Sequence, residues 1–215
     1  MTEPVPISDA DRSAVAAQLG RPPRGLRAVA HRCPCGLPDV VETAPRLPDG
    51  TPFPTLYYLT CPRAASAIGG LEAGGMMREL TARLAGDLQA RAAYENAHRD
   101  YLARRDEAAA GEGVEPLPPG TQSAGGMPER VKCLHALAAH ELAAPGVNPF
   151  GRAALDAVGP WWDRGPCVSD ILAVHRTRGR GDTGSGVSPG KHCGSGPEGV
   201  VPPGDNCLPL SGEHP

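Results

Sequence analysis

The chain has 215 residues and a formal charge of −3, with 28 glycines and 25 prolines against an aromatic content of only 4%. A balance this close to neutral excludes a global attraction to nucleic acid or to an anionic membrane surface. No apolar run reaches the roughly 18 residues that a membrane-spanning helix requires. The N-terminus also lacks the basic and apolar regions of a secretory signal, which predicts a cytoplasmic protein with most of its seven cysteines reduced.

Taken in order, Ser8 can cap a helix running to Leu19, with Gly20 as its stop. The segment LRAVAHR (26–32) reads as a strand, CPCG as a turn, and DVVET (39–43) as a second strand. RLPDGTPFP (46–54) is loop, because three prolines and Asp49-Gly50 exclude regular structure. TLYYLT (55–60) is the clearest strand, rich in aromatic and branched residues. Pro62 then opens a helix through PRAASAIGGLEA that ends near Gly74-Gly75.

From Met76 to about Ala110 the pattern predicts one long helix, with Met76, Met77, Leu80, Leu84, Leu88, Tyr94, Tyr101 and Leu102 on one stripe. His98 lies within that stripe, as a bonded core histidine or a proton carrier. GEGVEPLPPG (111–120) reads as a linker, and residues 149–158 as a last short helix. The expected architecture is α+β: a small, mostly antiparallel sheet of about three strands against one long helix and several shorter ones. The folded domain should span 1–168. Residues 169–215, dominated by glycine, proline, serine and charge, predict a disordered tail.

The densest chemistry lies in SAGGMPERVKCLHALAAHEL (123–142). Pro128 at a helix start, behind Gly125 and Gly126, would expose backbone N–H groups to an anion. Ser123, Arg130 and Lys132, with Arg46 and Arg63 from elsewhere, could bind a small anionic or phosphorylated ligand. Cys133, beside Lys132 in the first turns, is the candidate nucleophile, with His135 as its catalytic partner. On a regular helix, however, Cys133 and His135 point about 160° apart, and His140 lies about 10.5 Å further along the axis than Cys133. A zinc ion would then need Cys33 and Cys61, with Cys167 as a further thiol, to converge on Cys133 or on a histidine such as His140. Structural zinc, a catalytic thiolate and inert buried cysteines all remain open.

Several segments together resemble one bacterial family. RCPCGLPDVVET, PFPTLYYLTCPRA, SAGGMPERVKCLHALAAH, GVNPFG and PWWDRGPCV are similar to the domain of unknown function 501 family, common in actinobacteria, from about residue 11 to residue 168. The resemblance implies counterparts of Cys33, Cys61, Cys133 and His140, and demotes Cys35 as a ligand. It assigns no activity. The neighbourhood of such genes implies a link to division or phosphate metabolism. The alternative function is therefore a non-enzymatic adaptor, zinc-stapled or not, with a partner protein in that machinery.

Overall fold

The computed structural model describes residues 5–47, 49–53, 55–116, 118, 120 and 122–168, all within a unit spanning Met1–Arg180. The predicted tail from 169 onward lies outside the described residues.

Four strands form one antiparallel sheet in the order β1 (Val5–Pro6), β2 (Leu26–Arg32), β3 (Pro38–Thr43), β4 (Tyr57–Leu59). Val29 pairs with Val5 on one side and Val41 on the other, and Val41 pairs onward with Tyr58. The two-residue edge strand β1 is the addition to the three expected; it is too short to show an alternating pattern. Helix α1 (Asp9–Leu19) begins with a capping box between Ser8 and Asp11 and stops at Gly20, whose φ of 66° suits glycine. Helix α2 (Pro62–Ala73) follows the sheet with proline in its first turn.

The predicted long helix is two helices, α3 (Met76–Gly86) and α4 (Leu88–Gly111). Asp87 adopts an extended conformation between them, and its side chain accepts the N–H of Ala90 to cap α4. The break resets the helical register. Leu88, expected in the apolar stripe, is 79% exposed, whereas Tyr94 and Tyr101 are fully buried.

Helix α5 (Leu134–Ala143) is the centre of the core, touching β2, β3 and β4 as well as α2 and α6 (Pro149–Val158). Leu134, Leu137 and Ala138 are buried completely. A β-carbon on Gly151 would lie 2.1 Å from the carbonyl oxygen of Leu137, so α6 reaches α5 only through glycine. Tyr101 ties α4 to the sheet by accepting the N–H of Leu56 at 2.6 Å. Among the described residues no helix is long and apolar enough to cross a membrane.

Candidate functional site

The expected helix start at Pro128 is not there. Residues 124–129 form turns, with Arg130 N–H donating to the carbonyl of Gly126 and Lys132 N–H to that of Gly125. The chain then runs extended through Cys133, which has φ −150° and ψ 111° and is the N-cap of α5. Two side chains hold this approach: Tyr94 donates to the carbonyl of Arg130, and Thr81 accepts from Val131 N–H.

That shift changes the geometry of the cysteine and the histidine. Cys133 no longer lies on the helix, so the angular argument separating it from His135 falls away. The two side chains come together in space. Glu72, in the last turn of α2, joins them, and one donor atom from each of the three residues lies within 4.8 Å of the others. All three are only part-buried, so solvent reaches the group.

Glu72 sits at the end of its own helix where the dipole disfavours a carboxylate, and at the N-terminus of α5 where the dipole favours it. Its Oε1 accepts the N–H of Leu134 at 2.6 Å and faces Nδ1 of His135 at 3.1 Å. The anion-friendly helix start read from the sequence thus exists six residues later than expected, and an internal carboxylate faces it. His135 Nε2 lies 3.0 Å from the carbonyl of Ala65. The pull of Cys133, then of the Glu72 carboxylate, outweighs partial burial and raises the His135 pKa to about 9.

The remaining predicted residues are placed separately. Ser123 Oγ bonds Nδ1 of His98 at 2.8 Å. His98 is thus partnered by the Ser123 hydroxyl, and burial lowers its pKa. Gly125 and Gly126 have φ of 67° and 90°. A β-carbon there would fall 2.5 Å from Leu137 and 2.7 Å from the Arg130 carbonyl respectively. Their freedom serves packing of the loop that presents Cys133. Arg46 donates to Gly50 within its own loop. Arg63, at the far end of α2 from Glu72, donates to the carbonyl of Gly165. Arg130 and Lys132 are exposed.

Cys33, Cys61, Cys133 and His140 do not gather into one group among the described residues. Cys33 is buried in the β2–β3 turn, and burial pushes its thiol up to about 12. His140 is wholly buried between Tyr57 and Tyr101, with Nε2 2.9 Å from Asp100 and Nδ1 facing the Asn148 amide at 3.3 Å. Both ring nitrogens thus have hydrogen-bond partners, which makes His140 a satisfied core polar group rather than a ligand. Glu72 was missed because metal searches from sequence weigh cysteine and histidine; its one sequence signal is an acid at the wrong end of a helix.

The fold and this cluster define an α+β protein with a solvent-reachable Cys–His–Glu centre between two helices. Residues 29–156 match the family described as protein of unknown function DUF501, and the chain belongs to that family. No curated protein and no solved structure matches the chain.

Proposed function

We propose that the protein binds a divalent transition metal, zinc by its donor chemistry, through Glu72, Cys133 and His135, and that the coordination position left over binds a small anionic molecule. The carrying observation is the convergence of three donor atoms from separate segments, with His135 Nε2 already turned to the Ala65 carbonyl. A ligating histidine commonly fixes its other nitrogen in this way. Thiolate, imidazole and carboxylate together suit zinc, and three protein ligands are the number found where a fourth position stays exchangeable. A closed structural staple uses four, which favours a ligand-binding or catalytic centre over a zinc-stapled adaptor of the division or phosphate machinery. Exposed Lys132, adjacent to Cys133, adds positive charge toward an arriving anion.

Full-length protein purified without a histidine tag, stripped by chelator and reloaded, should take up stoichiometric zinc or cobalt. The cobalt form should show a thiolate-to-cobalt charge-transfer band that Cys133→Ser removes, and inorganic phosphate should shift its visible bands. Wild-type loading far below stoichiometric, or loading untouched by Cys133→Ser and Glu72→Gln together, would overturn the metal.

A thiolate nucleophile at Cys133 is the second reading. It is favoured by the two acceptors facing His135, which hold the metal-free ring doubly protonated beside the sulfur. Alkylation separates the two: rapid labelling regardless of chelator supports the nucleophile, and labelling only after chelator supports the metal.

A further inference from the structure

We infer that Cys61 and Cys167 are a redox pair, in which a peroxide oxidises Cys167 and Cys61 then closes a reversible disulfide. Cys61 is the N-cap of α2 and 1% exposed, whereas Cys167 is part-buried against the same core cluster. Cys167 packs against the core cluster that contains Cys61, and each thiol is the strongest influence on the other's protonation. Gln18 reaches the Cys167 sulfur: its amide Nε2 donates to Sγ at 3.3 Å. Arg63, in the first turn of α2, donates to Gly165 at 2.6 Å and fastens the segment carrying Cys167 over that turn. Both cysteines are free thiols in this structure.

The roles of the two sulfurs follow from their surroundings. The donor Cys61, followed by Gln18 and the charge of Arg63, lowers the Cys167 pKa to about 6 despite partial burial. The neighbouring Cys167 and burial push Cys61 up, leaving it protonated. A reachable thiolate beside a protected thiol is the arrangement in which oxidation is selective and then resolved.

The chemistry balances as follows. The Cys167 thiolate attacks one peroxide oxygen, the O–O bond breaks, and hydroxide leaves Cys167 as a sulfenic acid. Cys61 gives up its proton and attacks that sulfur, the S–O bond breaks, and water leaves. Two thiols and one hydrogen peroxide give one disulfide and two waters. The pair lies at the opposite end of α2 from Glu72, so it stands or falls separately from the metal.

Reduced full-length protein should be treated with near-stoichiometric hydrogen peroxide, alkylated and mapped by mass spectrometry. A Cys61–Cys167 cross-linked peptide, lighter by two hydrogen atoms and reversed by dithiothreitol, is expected. In Cys61→Ser, dimedone should trap a sulfenic acid at Cys167. In Cys167→Ser, a change at a part-exposed position, Cys61 should remain a thiol under the same treatment. Cys167 left unoxidised, Cys167 paired with Cys193 or Cys207, or Cys61 oxidised as readily in Cys167→Ser, would each overturn the pair.

Discussion

Asp11 serves two neighbours from a nearly buried position. It completes the capping box with Ser8, and its two oxygens accept the Arg32 guanidinium of β2 at 2.7 and 2.8 Å. The bond to Arg32 is the main reason its pKa falls from 3.8 to about 2. Because the folded value lies below the unfolded one, the stabilisation is present above about pH 3.8 and is lost as pH falls through about 2. Arg32 is partly exposed, so the pair is worth on the order of 1 kcal/mol. Urea titrations should find Arg32→Met less stable by that amount at neutral pH, with the deficit shrinking between pH 3.8 and 2. A deficit constant across that range would assign the loss to packing alone.

At the scale of elements, the contact between α5 and α6 is limited by one residue. Adding a methyl at Gly151 drives a β-carbon into the Leu137 carbonyl at 2.1 Å, a backbone atom that cannot rotate away. Gly151→Ala should cost about 3 kcal/mol, read as a lowered denaturation midpoint, from overpacking in the core. Helices α1, α2 and α6 were legible because each carries its own punctuation: Ser8 and Gly20, Pro62 with Gly74-Gly75, and the Asn148-Pro149 start. The break at Asp87 was legible in principle, since Gly86-Asp87 is a stop followed by a cap, but the apolar stripe continues across it. The start of α5 was not, because Gly125-Gly126 and Pro128 imitate a helix entry. What displaces the start to Leu134 is tertiary: Thr81, Tyr94 and Glu72 satisfy the backbone of 130–134 from other helices. The cluster was therefore half visible: Cys133 and His135 stand out in the sequence, whereas Glu72, 61 positions upstream of Cys133, does not.

The whole molecule places that centre between α2 and α5, two elements distant in sequence and packed together in the core. A metal held there joins them in the folded chain alone. Free zinc at about 100 times its dissociation constant should add about 2.7 kcal/mol, raising Tm by about 5–10 °C for a domain this size. Differential scanning fluorimetry should show that rise in the wild type and lose most of it in Glu72→Gln. An equal rise in both proteins would place the binding elsewhere.

Gly125 and Gly126 bring no side chain to the Cys–His–Glu centre, and Gly125 meets Cys133 only through its carbonyl, which accepts the Cys133 N–H at 3.4 Å. Yet any side chain at either position collides with Leu137, Arg130 or Lys132 and moves the extended segment that ends at Cys133. In a saturation mutagenesis screen read out by zinc uptake, the pair would score as intolerant as Glu72, Cys133 and His135. Their intolerance would be a phenotype of position, with chemistry supplied entirely by their neighbours.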